Sequence, residues 1–338
     1  MMNSKAGKIY ASLMAGALGD ALGYAVEFIP YSSIVHRYGK GGIRELQPVN
    51  GKAIISDDTQ MTLFTNDAML RASGSDTPAP VLVYRAYLLW LKTQRGVQGD
   101  PSVPEERLNC IPELNHPRAP GNTCLRALES GKMGTLTEPI NNSKGCGGVM
   151  RTAPLGFYPQ SFGSPLINGA RCAAITHGHP MGWVPAGMLS DIVSKAIYGE
   201  YASLSELISA SLDDTRAEFG NEKGFAEFEA MIRSAMELSA SDLEDEPAIR
   251  SLGGGWVGDE ALAIAVYSCL KHPDGIKDCL ISAVNHSGDS DSTGAIAGNI
   301  LGAWLGAEAL PEDWIEKLEL TELIYEQARL AAEAAGVN

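Results

Sequence analysis

The sequence lacks most of the features that would assign it quickly to a class. No unbroken apolar run approaches the length needed to span a bilayer, and residues 1–8 form a short polar start without the charged flank, apolar core and cleavage site of a secretory signal. The expected location is therefore cytoplasmic. Six cysteines occur with no C-x-x-C pair and no histidine at zinc spacing, which excludes a thioredoxin-like motif and a structural zinc and leaves reduced, mostly buried thiols. Basic residues are also scarce: 26 Lys and Arg stand against 41 Asp and Glu, for a net charge of −15. Nucleic-acid backbones and anionic membranes are bound through Lys and Arg, so neither is expected as a partner. A basic protein surface would be attracted, although the same acidity also serves solubility.

Alternating strand patterns are nearly absent as well, and helical periodicity dominates. Helices are expected over 9–26, 59–71, 80–93, 123–130, 166–176, 187–198, 204–215, 224–239, 259–270, 276–284, 292–305 and 312–335. The fold class is all-α. With no low-complexity linker, charge block or internal repeat in 338 residues, we read one domain spanning 1–338. Ala11, Ala15, Leu18, Gly19 and Leu22 form one helical stripe, and Gly294, Ala297, Gly298, Leu301 and Gly302 form another. Glycine within a helix costs about 1 kcal/mol relative to alanine, so these stripes predict close helix–helix approach. The irregular stretch 95–121, rich in Pro, Gly and Asn, carries Leu108, Ile111 and Leu114 as apolar pins and reads as an ordered loop over a site. A second loop, 242–257, ends in Gly253-Gly254-Gly255-Trp256. Trp256 is either an ordinary core tryptophan, the commoner case, or a stacking face for a base or ribose.

Two short acidic runs carry the chemistry. Ser56-Asp57-Asp58-Thr59 and Asp289-Ser290-Asp291-Ser292-Thr293 each set two carboxylates beside hydroxyls at an expected helix start. Ser and Asp are favoured helix caps, and acids in a first turn suit the macrodipole, so either run alone could simply begin a helix. Doubling the charge at both starts costs repulsion energy unless a cation relieves it. Oxygen-only ligands without Cys or His suit Mg²⁺ or Mn²⁺. If the fold joins the runs, they supply enough ligands for two ions about 3.5–4 Å apart. Glu27 falls near the end of the first expected helix, just before Pro30, where a carboxylate opposes the macrodipole. That placement argues for a task.

Gly19-Asp20-Ala21-Leu22-Gly23 with Glu27, Ser56-Asp57-Asp58-Thr59-Gln60-Met61, Gly121-Asn122-Thr123, Gly145-Cys146-Gly147-Gly148-Val149-Met150-Arg151-Thr152-Ala153-Pro154-Leu155-Gly156, Thr176-His177 and Gly288-Asp289-Ser290-Asp291-Ser292-Thr293 together resemble the ADP-ribosylglycohydrolase family. The motifs occur in the family's order and span nearly the whole chain. The resemblance implies a compact orthogonal multi-helix bundle with a binuclear Mg²⁺ or Mn²⁺ site in a central cleft. It also implies hydrolysis of the N-glycosidic bond between ADP-ribose and a protein arginine, so that an ADP-ribosylated protein is the substrate. Ser56, Asp57 and Asp58 would bind one ion, and Asp289, Asp291 and Ser292 the other, with Asp291 bridging. Ser56, Ser290 and Ser292 stand where the family more often has Thr, and both residue types offer a hydroxyl oxygen.

A guanidine leaves readily only when protonated, so the reaction needs a proton donor as well as an activated water. Glu27 is the first acid/base candidate, with Asp57 and Asp58 behind it. The diphosphate calls for backbone N–H groups in a glycine-rich concavity. Gly145, Cys146, Gly147 and Gly148 supply one, Gly121, Asn122 and Thr123 at a helix start supply another, and His177 and His286 are candidate pocket residues. Cys146 reads as a small turn residue rather than a nucleophile, because no base accompanies it. Two rival readings keep the same family. One is a hydrolase of another linkage: serine, O-acetyl-ADP-ribose or a nucleobase. The other is an immunity protein that binds and blocks an ADP-ribosyltransferase toxin.

Overall fold

The computed structural model describes residues 4–72 and 77–337. Its helices in chain order are α1 (Lys5–Tyr24), α2 (Tyr31–Tyr38), α3 (Asp57–Arg71), α4 (Ala79–Thr93), α5 (Asn122–Glu129), α6 (Pro159–Phe162), α7 (Pro165–Ala174), α8 (Pro180–Tyr198), α9 (Leu204–Phe219), α10 (Phe225–Ser239), α11 (Asp245–Leu252), α12 (Gly258–Lys271), α13 (Ile276–Val284), α14 (Ser290–Leu305), α15 (Glu312–Ile315) and α16 (Thr321–Ala334). No strand occurs among the described residues, only isolated bridges such as Gly145 with Val257. The all-α class holds. None of the described helices is long and apolar enough to cross a membrane.

The small-residue stripes do what their spacing predicts: they let α1 and α14 run antiparallel with their backbones almost touching. A Cβ added at Gly19 would lie 2.1 Å from the Gly294 carbonyl oxygen, one at Gly298 2.1 Å from that of Ala15, and one at Gly302 2.2 Å from that of Ala11. At the other end, a Cβ at Gly23 would lie 2.2 Å from the Ser290 oxygen. No side chain fits there. Ser12 and Asn299 fasten the pair further, the Ser12 hydroxyl donating to the Asn299 carbonyl at 2.9 Å and the Asn299 amide to the Ser12 carbonyl at 2.8 Å. The consequence for function is direct. This close pairing sets the C-terminal end of α1, which leads into Glu27, against the first turn of α14, which carries Asp291.

Helices α2 and α6 form where none is expected, and three further stretches differ from the expected elements. Helix α8 begins at Pro180 rather than 187, because Pro180 takes the permissive first-turn position and Pro185 is tolerated inside the helix. The carbonyl that Pro185 leaves without its helical donor is that of Met181. It faces Gly258, where a Cβ would come within 2.7 Å of it. Residues 312–335 form two helices rather than one, interrupted before α16 by Leu320 at φ +59°. The expected loop 242–257 contains α11, whose acidic first turn of Asp245 and Glu246 begins a helix in a stretch that looks too polar to pack. The 95–121 segment is irregular as expected, with three short 3₁₀ turns. Leu108 and Leu114 are fully buried and Ile111 is partly so.

Candidate active site

The two acidic runs, more than 230 residues apart in sequence, meet at the end of the α1–α14 pair. Asp20, on α1, makes the join. Its carboxylate accepts the Ser56 N–H at 2.9 and 3.0 Å and the Thr59 N–H at 3.0 Å, and it also takes the Thr59 hydroxyl. It thereby satisfies donors at the open end of α3 that the helix itself leaves free. Asp20 was legible only as part of a motif. Its role depends on a contact with a segment 36 residues away, which local pattern does not show.

Capping accounts for only part of the acidic runs. Ser56 is a true N-cap, its Oγ accepting the Asp58 N–H at 3.1 Å. Asp289 occupies the N-cap position of α14, but its side chain caps nothing there; Oδ2 accepts the Cys146 thiol at 3.1 Å instead. Asp57 Oδ2 accepts the Gly121 N–H at 3.2 Å, and Asp291 Oδ1 that of Ser292 at 3.0 Å. Asp58 Oδ2 is sealed from solvent without any hydrogen-bond partner. In the second run, Ser290 Oγ is likewise buried without a partner.

The electrostatics are one-sided. Burial, with Asp20, Glu27 and Asp289 adding repulsion, pushes Asp57 well above the carboxylate range although the Gly121 N–H opposes it. Asp58 is pushed up by burial and then by Asp57, Asp20 and Asp289, and Asp291 by burial and then by Asp58, Asp289, Glu27 and Asp20. Asp20 rises to about 6, chiefly by burial, and half-buried Glu27 to about 8, by burial and then by Asp289 and Asp20. Among the described residues, no Lys, Arg or His forms an ion pair with any of these six carboxylates. Among the described residues, no group of three or more Asp, Glu, His or Cys side chains is gathered so that it could hold a metal ion as it stands.

The expected anion-binding residues also come together. The 3₁₀ turn Cys146–Gly148 lies against the start of α5, where a Cβ at Gly147 would meet Cys124 Sγ at 3.1 Å. Gly121 and Asn122 are exposed at that helix start, and the Thr123 hydroxyl lies 3.2 Å from that of Ser143. His177 is buried beneath the glycine turn, and burial, reinforced by Arg151, lowers it to about 3, so it is neutral. His286 lies elsewhere. It is buried under the first turn of α14, with Nε2 at 2.9 Å from the Thr293 hydroxyl, and supports that helix. The Cys146 thiol is held well above its ordinary range by burial and by Asp289 and Asp58, which fits a turn residue rather than a nucleophile.

Trp256 is not in the core. It is half-exposed and stacks on Phe28, with ring centroids 5.1 Å apart and planes inclined at 18°. Phe28 directly follows Glu27, sits at φ +59° and donates its N–H to the Gly288 carbonyl at 2.9 Å. The Trp256 carbonyl accepts the Cys146 N–H at 3.2 Å. The aromatic pair therefore bridges the segments that carry Glu27, Cys146 and Asp289. The cavities found among the described residues lie away from this centre. One of about 640 Å³, lined by Lys8, Glu200, Tyr201 and Trp304 among others, opens at the opposite end of α1 and α14 and has no cluster of carboxylates.

An all-α scaffold thus gathers two acidic helix starts beside a glycine turn. The model of the ADP-ribosylglycohydrolase family matches residues 1–338, and the chain belongs to that family, which hydrolyses ADP-ribose linkages. It is 27% identical over 314 residues to the ADP-ribosyl-[dinitrogen reductase] glycohydrolase of Rhodospirillum rubrum, covering 90% of this chain and 87% of that one. The similarity to ADP-ribosylhydrolase ARH3 of Mus musculus is 28% over 103 residues, 27% of this chain and 28% of that protein. A solved structure titled ADP-ribosylglycohydrolase-related protein complex superposes with a TM-score of 0.69 at 23% identity, over 98% of this chain and 99% of that one. That last likeness speaks to the fold.

Proposed function

We propose that the protein removes ADP-ribose from an arginine side chain of a modified protein, with two Mg²⁺ or Mn²⁺ ions held by Ser56, Asp57, Asp58, Asp289, Asp291 and Ser292. The observation that carries this reading is the meeting of the two acidic runs with a buried, unpartnered Asp58 Oδ2 and no cationic side chain among them. Buried charges are ordinarily paired or coordinate metal. The donor set fits hard divalent cations, since every candidate ligand offers oxygen. Ions bound there would supply Lewis-acid polarisation of the ribose hydroxyls and of water.

The protein's own residues supply the rest. Asp20 holds the first turn of α3 in place and so fixes Asp57 and Asp58 relative to α14. Glu27, half-buried on the turn after α1 and repelled by Asp289 and Asp20, would carry a proton to the departing guanidine nitrogen, a role its raised pKa supports. The backbone N–H groups of Gly147 and Gly148, and those of Asn122 and Thr123 at the exposed start of α5, suit the diphosphate. The aromatic face of Phe28 and Trp256 borders the same centre. The arginine linkage is supported by similarity along most of the chain to a relative whose name specifies ADP-ribosyl-dinitrogen reductase.

The test is release of free ADP-ribose from arginine-modified and serine-modified proteins with Mg²⁺, Mn²⁺ or EDTA. Metal-dependent release from the arginine substrate is expected. Release from the serine substrate alone would transfer the activity to that linkage, and release unaffected by EDTA would remove the metals from the account.

A further inference from the structure

Arg151 is fully buried, yet its guanidinium meets no carboxylate among the described residues. Nη2 donates to the Thr176 hydroxyl oxygen at 2.6 Å, and Nη1 faces Cys124 Sγ at 3.3 Å and Met61 Sδ at 3.5 Å. The charge lies 4.3 Å from the Tyr87 ring centroid, and Nε has no partner. Burying a cation without a counter-ion is costly, whereas methionine or leucine would fill such a position without that cost. Packing alone does not explain an arginine here.

The hydrogen bonds lead from Arg151 toward the glycine turn. Thr176 Oγ1 lies 2.8 Å from His177 Nδ1. A guanidinium can only donate, so the Thr176 oxygen accepts from Arg151. Its hydroxyl proton is then free to go to Nδ1. Because His177 is neutral, a hydrogen-bonded lone pair on Nδ1 places the ring proton on Nε2. Nε2 makes no hydrogen bond within the protein among the described residues and keeps a little contact with solvent, His177 being 1% exposed. It lies under the glycine turn, where a Cβ at Gly145 or Gly147 would come within 3.4 or 3.5 Å of it.

We propose that Arg151 is a positioning residue: acting through Thr176, it holds His177 as the Nε2–H tautomer, so that an N–H donor faces an anionic oxygen seated on the Gly145–Gly148 turn. In the opposite tautomer, Nε2 would present a lone pair and repel the same oxygen. Naming that anion as the diphosphate of ADP-ribose rests on the proposed function; the tautomer does not.

Long-range ¹H–¹⁵N NMR of the histidine rings in the full-length, ligand-free protein reads the tautomer directly. The His177 signals, assigned with His177→Asn, should show a protonated Nε2 and an unprotonated, hydrogen-bonded Nδ1. Thr176→Val, which preserves shape, and Arg151→Met should each shift His177 toward a tautomer mixture. Thr176→Ser should restore the wild-type pattern. ADP-ribose binding by calorimetry should weaken in Thr176→Val in proportion to the Nε2–H fraction lost, about twofold for an even tautomer mixture. A wild-type Nδ1–H tautomer, or a pattern unmoved by Thr176→Val, would overturn the proposal whatever happens to stability. The expected tautomers with no ADP-ribose binding by the wild type would uphold the positioning role and reject the diphosphate assignment instead.

Discussion

Asp58 and Asp191 are buried to similar depth, 2% and 8% exposed, in opposite surroundings. Asp191 Oδ2 accepts the Lys195 ammonium and the Ser211 hydroxyl, the latter at 2.6 Å, and Lys195 also reaches Asp214 at 2.7 Å. Asp58 has other carboxylates around it and one oxygen bound to nothing. The difference separates a charge the fold has already compensated from charges that, on the proposed function, a cation from outside would compensate. The first serves the packing of α8 on α9. The second raises the cost of folding, and the proposed function supplies its reason.

The comparison breaks most sharply under substitution. Asp58→Asn with Asp291→Asn should reduce ADP-ribose release by more than about 100-fold, beyond the loss typical of residues that only support metal ligands. The same double variant should melt at a higher temperature than the wild type in EDTA, because it removes buried repulsion. Lys195→Met should do the reverse, lowering stability by about 3 kcal/mol, as expected when one partner of a buried pair is removed, with release unchanged. Denaturant unfolding and the hydrolysis assay on both proteins check the crossing. Equal effects on stability and activity at the two sites would erase the distinction.

A smaller effect sharpens it through pH. Asp20 and Glu27 have folded-state pKa values raised to about 6 and about 8. Across that window the folded state binds more protons than the unfolded one, so stability falls as pH rises. Metal-free protein should therefore lose melting temperature as pH rises from the ordinary carboxylate range through 6 and toward 8, and Mn²⁺ should flatten the slope. Glu229, drawn down to about 2 by Arg216 and Arg233, gives the opposite sign: its contribution is lost as pH falls through the acid range toward 2. Melting curves at stepped pH with EDTA or Mn²⁺ resolve the two trends.

How far the sequence carries depends on the reach of each interaction. The glycine and alanine stripes of α1 and α14 are periodic within single helices, so both the elements and their close approach were legible. The acidic runs, Glu27 and the glycine turn were legible from residue type and order. Asp20 as a clamp, the Cys146 thiol on Asp289, and Trp256 stacked on Phe28 were not, because each joins segments far apart in the chain or depends on a backbone angle such as that of Phe28. Pro185 inside α8 and the acidic start of α11 misled for a different reason. A proline ordinarily ends a helix and a polar run ordinarily marks a loop, and here packing against neighbours outweighs both local preferences.

The central claim is that the two acidic runs form one divalent-metal centre. Equilibrium titration of the metal-free protein with Mn²⁺, followed by electron paramagnetic resonance of the unbound ion, tests it without reference to substrate. The account predicts two Mn²⁺ bound per chain in the wild type and loss of both high-affinity sites in Asp58→Asn/Asp291→Asn. Wild-type protein that binds no Mn²⁺, or binding that the double substitution leaves intact, would contradict it.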